Sequence, residues 1–500
     1  MNKKLIINVN VSETRIALVE DDRVAEFYVE RQSKLGMVGN IYKAKVSRVL
    51  PGMQSAFVNI GADKSAFLYG GDVVDEAYLK NLKINNGKDI DPRSTSNKTP
   101  IEKILKEGDE IMVQVAKEPL GTKGPRVTML ITIPGRYVVL MPDFDNIGIS
   151  RRIEDEELRQ QIEESVESIR PDNMGLIVRT AAEKAPLDSL SKDIDYLQKV
   201  WAGVQDEMQS RGAPSLLYQE PDLILKTTRD LYSEDVSEII IDDPKAYNQL
   251  SHFLQGVIPG ADHKLCLYEG KSSIFDFYSL EIDIAKALSR KVWLPSGGYL
   301  VIDQTEALTS FDVNTGKYVG SHNARETILR TNLESAEEIV HQLRVRNLGG
   351  IIIIDFIDMD FEEDRQQVND RLEEFLKLDK SRTNVLAINE LGLVQMTRKR
   401  TKESLERVLT VDCHYCNGTG RSLSTESAVL DLARDIERFA LRSKQKKITI
   451  TTRQDVADRF LNEEKQLYQM IVERFGLEIS FDTSRVSIAQ LEEALYDIGT

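Results

Sequence analysis

Apolar and polar positions alternate from the start of the chain. Residues 5–9 form a first strand, and Thr14-Arg15-Ile16-Ala17-Leu18-Val19 alternates up to Glu20, the period-two signature of paired strands. From Gly39 to Gly71, short alternating runs (40–46, 56–61, 66–68) are separated by glycines, and 108–115 resumes the pattern. This stretch predicts a small β-barrel. Residues 81–100 are rich in Asn, Lys and Ser and read as a loop insertion in it.

Residues 129–224 predict a separate α/β unit. It has a strand at 137–141, a charged amphipathic helix at 155–169, a strand at 175–180 and a long helix at 188–211. Strand and helix alternate again over 225–287, with a strand at 237–242. In 288–409 the pattern gives strands at 298–303 and 307–314. A helix follows, with Ala336, Ile339, Val340 and Leu343 on one face. Next come a β-branched buried strand at 351–355 and a helix at 362–378. A helical tail is predicted over 425–500. The fold class is multidomain α/β.

Composition narrows this picture. A chain of 500 residues suggests about three domains. Hydrophobic residues at 41% and charged residues at 29% are ordinary for a globular protein and exclude collagen-like or wholly disordered classes. The net charge of −16 argues against a tail-type nucleic-acid binder but leaves room for a local basic groove. The first apolar run stops at Asn8, and Ile351-Ile352-Ile353-Ile354 stops at Asp355, so no signal peptide or membrane span is expected. Three cysteines, Cys266, Cys413 and Cys416, imply no disulfide framework and point to a reducing cytoplasm.

Four constellations carry candidate chemistry. Asp312 and Asn314 lie two apart on one strand and leave by the same face, and Asp355 closes a strand of the same unit. Two carboxylates with an amide suit a hard cation such as Mg²⁺, which activates water and steadies charge on phosphate. A single acid at a strand end is more often a solvated cap, and Asp303, Asp358 and Asp360 are nearby decoys. Cys413 and Cys416, followed by Asn-Gly-Thr-Gly, look like half a zinc knuckle. A structural zinc needs four ligands and the chain offers no second pair; two chains could supply four between them. A redox pair is the rival, weaker because no thioredoxin-like βαβ unit precedes the motif, and two unligated thiols are also open. On the barrel, Phe57 and Phe67 interleave with Lys43, Lys45, Arg48 and Lys64, and Lys123-Gly124 extends the basic track. That mixture suits single-stranded nucleic acid, although for either Phe alone a place in the core is the better reading. Arg179-Thr180 is a possible phosphate grip, with Arg151, Arg152 and Arg382 elsewhere.

Five motifs in order, GLIVRTA (175–181), LPSGGYLVIDQTEALT (294–309), TSFDVNTG (309–316), GGIIIIDFIDM (349–359) and CHYCNGTG (413–420), resemble the ribonuclease E/G family almost from end to end. The chain stops at 500 without a long disordered scaffold, so it resembles the family's shorter members. The resemblance implies an Mg²⁺-dependent, single-strand-specific endoribonuclease. It would sense 5′-monophosphate ends and act in ribosomal and transfer RNA processing and messenger decay. It gives Asp312 and Asp355 the catalytic Mg²⁺ and Asn314 their placement. It assigns Arg179 and Thr180 to a 5′-phosphate pocket, lined by Gly135 and Val139 and helped by Arg382. Phe57, Phe67 and Lys123 become RNA-clamping residues, and Cys413 with Cys416 a zinc link joining two protomers, as a homodimer or a dimer of dimers.

The implied layout is an RNase H-like subdomain (1–35 and 225–287) interrupted by an S1-like OB barrel (36–128) and a 5′ sensor (129–224). A DNase I-like catalytic subdomain (288–409), the link (410–424) and a small dimerisation domain (425–500) follow. Two features depart from the family pattern, the 81–100 insertion and His414-Tyr415 where a proline often follows the first cysteine. The competing function is a non-catalytic RNA-binding scaffold, which the intact Asp312, Asn314 and Asp355 disfavour. A zinc enzyme at the cysteines is disfavoured by having only two thiolates.

Overall fold

The computed structural model describes residues 2–32, 36–74, 99–119, 123–150, 152–153, 155–183, 185–258, 260–316, 324–389, 391–400, 402–413, 416, 418–483 and, for the backbone alone, 496–499. Most of the 81–100 insertion, Arg151, His414 and Tyr415 lie outside them. Two compact units divide the chain at Leu405/Glu406.

In the first unit, a five-stranded sheet joins distant parts of the chain. Lys3–Val9 lies at its centre, antiparallel to Glu13–Glu20, which pairs with Arg23–Arg31; on its other side it runs parallel to Val236–Ile241, and that strand to Leu265–Leu267. The two inner faces differ from ordinary alternation because helices cover them; Leu5, Ile6 and Ile7 are all buried.

The barrel is closed by five strands. Ile41–Leu50 pairs with Ser55–Asn59, then Ala66–Tyr69, Arg126–Thr128 and Glu110–Lys117, which returns to Ile41–Leu50. The runs expected from the sequence, the last at 108–115, are therefore short of the barrel by one strand. Arg126–Thr128 has only three residues, too few to carry a period. Ser215–Tyr218, from far along the chain, adds to the edge of Ile41–Leu50.

The unit beside it has a four-stranded sheet. Gly175–Val178 lies between Ile147–Ile149 and Val138–Met141, and Ile133–Pro134 is the far edge. Two helices cover it. Glu156–Glu167 is capped by the Asp155 carboxylate, which accepts from the Glu157 and Leu158 amides. Leu187–Ser210 buries Leu190, Ile194, Leu197, Trp201 and Val204 at helical spacing.

The 288–405 stretch builds a six-stranded sheet in the order Lys291–Trp293, Tyr299–Gln304, Leu308–Asn314, Gly350–Asp355, Leu393–Arg398, Thr383–Val385. Only the two central neighbours, Leu308–Asn314 and Gly350–Asp355, run parallel. One face carries the core: Leu300, Ile302, Phe311, Val313, Ile352 and Ile354 pack against Ala336, Ile339, Leu343 and Leu372 of the helices Ala324–Val345 and Glu362–Leu376. The opposite face is largely open.

The second unit corrects the expectation of a helical tail. Its helix Thr425–Arg442 is followed by Lys447–Thr452, which pairs parallel with Glu478–Asp482 and antiparallel with Tyr496–Gly499. Helices Gln454–Asn462 and Lys465–Phe475 lie between the strands in sequence.

Candidate functional site

The parallel pairing of the two central strands places Asp312 directly opposite Asp355, and both carboxylates emerge exposed on the open face. Asn314, two residues along, donates from Nδ2 to Asp312 Oδ2 at 3.0 Å. Close packing holds this strand end in place: a Cβ on Gly298 would lie 2.8 Å from the Asn314 carbonyl oxygen, so LPSGGY needs its second glycine. Behind Asp355, the fully buried Asn332 grips the backbone of Ile357 twice, donating to its carbonyl at 2.8 Å and accepting from its amide at 3.1 Å. Partial desolvation at the sheet surface pushes the Asp355 carboxyl above its usual range, and the acids Asp312 and Asp358 add to that. Asp358 is thus part of the cluster's field rather than a bystander. Asp303 stands apart, paired with Arg290 through bonds of 2.5 and 2.7 Å that hold its carboxyl low. Two carboxylates that share excess negative charge fit a hard divalent cation. Among the described residues no group of three or more His, Cys, Asp or Glu is gathered, so water would fill the other positions.

On the barrel, register aligns one outward row: Arg48 opposite Phe57, Phe57 opposite Phe67, Phe67 opposite Arg126. Phe57 and Phe67 meet edge to face at 5.9 Å, and Phe57 is 36% exposed, so the pair is not core. Lys123 is exposed, and its segment reaches the same strand through the Phe67 amide, which donates to Pro125 O at 2.8 Å. Lys43 is corrected as a phosphate contact. Its ammonium is spent on the Met208 and Arg211 carbonyls and on Glu110.

The Arg179 guanidinium donates to the Gly135 carbonyl at 2.6 Å and to Asp230 Oδ1 at 2.9 Å. Burial would raise the Asp230 carboxyl, but Arg179 and Arg229 outweigh it and hold it below its usual range. The turn at Gly135 is organised from behind. Buried Asp193 accepts from the amides of Arg136 (3.0 Å), Tyr137 (2.7 Å) and Val138 (3.1 Å). A Cβ on Gly135 would sit 2.6 Å from that carboxylate, so only glycine fits. Val139 is half-buried on the adjacent strand, opposite Ile177. Thr180 starts a short 3₁₀ turn, Thr180–Ala182. The 379–382 segment touches the same pocket: Lys380 Nζ donates to the Asp230 carbonyl at 3.3 Å and Arg152 to the Asp379 carbonyl at 3.1 Å. Arg382, in that segment, is exposed.

In the second unit Cys413 is exposed and Cys416 half-exposed, with the Cys416 amide donating to the Cys413 carbonyl at 3.3 Å. The Gly420 amide donates to Cys416 Sγ at 3.3 Å. Neither cysteine is in the first turn of the helix that starts at Thr425.

A model described as the ribonuclease E/G family matches residues 132–401, and one described as the RNase E/G thioredoxin-like domain matches 412–494. Ribonuclease G of Haemophilus influenzae is 43% identical over 472 residues, 94% of each chain. The chain belongs to the ribonuclease E/G family. Ribonuclease G of Escherichia coli K12 is 43% identical over 438 residues, 88% of each chain. Ribonuclease E of Haemophilus influenzae is 35% identical over 98% of this chain, which spans about half of that protein. The thioredoxin-like match begins one residue before Cys413 and so includes both cysteines.

Within this ribonuclease E/G chain, four residues behind the sites escaped the sequence reading: Asn332, Asp193, Asp230 and Arg126. Asp193 had one visible signal, an acid on the apolar face of its helix between Leu190 and Leu197. Asn332 sits likewise on the buried side of Ala324–Val345.

Proposed function

We propose that this endoribonuclease of the ribonuclease E/G family cuts single-stranded RNA at Asp312 and Asp355. The observation that carries the reading is their side-by-side register on an open sheet face, with Asn314 bonded to Asp312. Water attacks phosphorus, the bond to the 3′ oxygen breaks, and that oxygen leaves as a hydroxyl, so the products are a 5′-phosphate and a 3′-hydroxyl. A bound Mg²⁺ supplies water activation and charge stabilisation at this place. Asn314 fixes the Asp312 rotamer, and Asn332 fixes the loop behind Asp355. Phe57 and Phe67, with Lys123, take bases and phosphates of the strand. Arg179 and Thr180 grip a 5′-monophosphate beside Gly135 and Val139, with Arg382 in support. The work is processing of ribosomal and transfer RNA and messenger decay in the cytoplasm; among the described residues no helix is long and apolar enough to cross a membrane.

The subdomain assignments belong to the same reading: an RNase H-like sheet, an S1-like barrel, a 5′ sensor, a DNase I-like catalytic sheet and a small dimerisation domain. An A/U-rich oligonucleotide incubated with and without Mg²⁺ tests the cutting reaction, with 5′-monophosphate and 5′-hydroxyl ends compared. Cutting should require Mg²⁺ and be faster with the 5′-monophosphate; equal rates with and without the metal would sink the assignment.

For the cysteines, the reading is one Zn²⁺ held by Cys413 and Cys416 of two chains, because one chain offers half a tetrahedral set. Bound zinc should be half an equivalent per chain. Replacing both cysteines with serine should release it and lower the mass by light scattering. A full equivalent per chain would reopen the redox alternative.

A further inference from the structure

The open face that carries the acids also carries an exposed tryptophan. The chain has two; Trp201 is 6% exposed in a core, whereas Trp293 is 63% exposed. An indole left in water on a sheet face forgoes the burial that normally accounts for its presence. Its neighbours are specific. Trp293 and Tyr299 meet at 5.4 Å and 62°, and Lys291 Nζ sits 4.0 Å from the centre of the indole and 3.5 Å from that of the phenol ring.

Register connects this cluster to the cut site. Trp293 is opposite Tyr299, and Tyr299 opposite Asn314; Lys291 is opposite Val301, and Val301 opposite Asp312. Two rows on one face therefore lead from the aromatic pair to Asn314 and from Lys291 to Asp312, across two strand spacings, about 10 Å. That is the scale of a neighbouring nucleotide rather than of a remote site.

We propose that Trp293 and Tyr299 form a base-stacking platform for the single-stranded RNA next to the phosphate being cut, with Lys291 taking a backbone phosphate. The inference rests on Asp312 and Asp355 being the cutting site. Charge and shape point to RNA as the occupant: a cation lies over two π faces, and the patch is continuous with the acids that would receive the scissile phosphate. An arriving base displaces the ammonium from the rings, and the ammonium moves to the phosphate of the same nucleotide. Stacking of this kind tolerates any base, so the platform positions the strand without reading its sequence.

Tryptophan emission of the full chain carrying Asp355→Asn, titrated with a short single-stranded RNA, tests this. Buried Trp201 gives a constant background, so quenching reports Trp293. Quenching should saturate with RNA. Trp293→Phe should abolish the signal and keep affinity within about twofold. Trp293→Leu should weaken binding about tenfold, the scale of one stacked base. In the otherwise unchanged enzyme it should raise KM by a similar factor with little change in kcat. Labelled RNA that binds by anisotropy without altering Trp293 emission would overturn the platform, as would an unchanged KM for Trp293→Leu. An emission change that depends on protein concentration alone would give the face to a second copy of this chain instead. If Asp355→Asn still cut at full rate, the cutting site would be misplaced and the platform would lose its role, a failure separate from the loss of quenching.

Discussion

The acidic pair and the Arg179 pocket are built by the same device and suit opposite uses. In each, a buried polar side chain on a helix pins backbone behind the functional group: Asn332 holds Ile357 behind Asp355, and Asp193 holds residues 136–138 behind the carbonyl that Arg179 grips. The functional groups then differ. Asp355 is acted on by other acids and by burial, with no cation among the groups that shift it. Arg179 is already bound to Asp230 and to Gly135. A carboxylate meant to take a metal ion must keep its charge uncompensated. An arginine meant to recognise an anion gains from being oriented beforehand, because its flexible chain otherwise loses entropy on binding.

This contrast separates activity from stability, and the acids test it most strongly. Asp312→Asn and Asp355→Asn should each slow cutting by several orders of magnitude, the equivalent of about 4 kcal/mol or more of lost charge stabilisation. The folded protein should hardly notice. The side chains are exposed, and removing one of two like charges costs nothing, so Tm should stay the same or rise slightly. A variant that cuts at the unaltered rate, or one whose Tm drops sharply, would break the comparison on the catalytic side.

The pinning residue of the pocket should behave in the reverse manner. Asp193→Ala would leave three amides without their acceptor in a buried turn, at a cost of about 3 kcal/mol. Urea unfolding should show that loss in the first unit, and discrimination between 5′ ends should fall with it. Asp193→Asn keeps one acceptor oxygen and should recover part of both. If Asp193→Ala unfolds at the original midpoint, the carboxylate is not what seats the turn.

The same contrast explains what the sequence made visible. Asp312 and Asn314 were legible because a strand's two-residue period puts them on one face, and Asp355 because it ends a run of isoleucines. Their adjacency was not legible: it comes from the parallel pairing of two strands separated by a whole helix, Ala324–Val345. Phe57 and Phe67 were visible as a pair, but only the closed barrel aligns them with Arg48 and Arg126. The pocket's chemistry was mostly hidden. Asp193 serves amides more than fifty residues away, and Asp230 is one acid among many in sequence. The helical tail misread a pattern that was present. Lys447-Ile448-Thr449-Ile450 alternates exposed and buried, but the strand is short and flanked by longer helices.

The smallest effect should come from Arg179 itself. Its charge-assisted bonds to a terminal phosphate compete with bonds it already makes, so the net gain is that of one charged hydrogen bond, about 1.5 kcal/mol or tenfold. Arg179→Gln should therefore cut the ratio of kcat/KM for 5′-monophosphate over 5′-hydroxyl RNA about tenfold, leaving the hydroxyl substrate nearly untouched. Asp355→Asn, by contrast, should slow both substrates equally. Arg179→Lys divides the effect further. It keeps the charge but has no planar fork to span the Gly135 carbonyl and Asp230 together, so it should retain only part of the preference. Losing Arg179 also removes one of the two cations that hold the Asp230 carboxyl low, so that carboxyl should titrate higher in the Gln variant than in the Lys variant. A preference unchanged in Arg179→Gln would move the 5′ end elsewhere, and an equal loss on both substrates would make Arg179 part of the general RNA path.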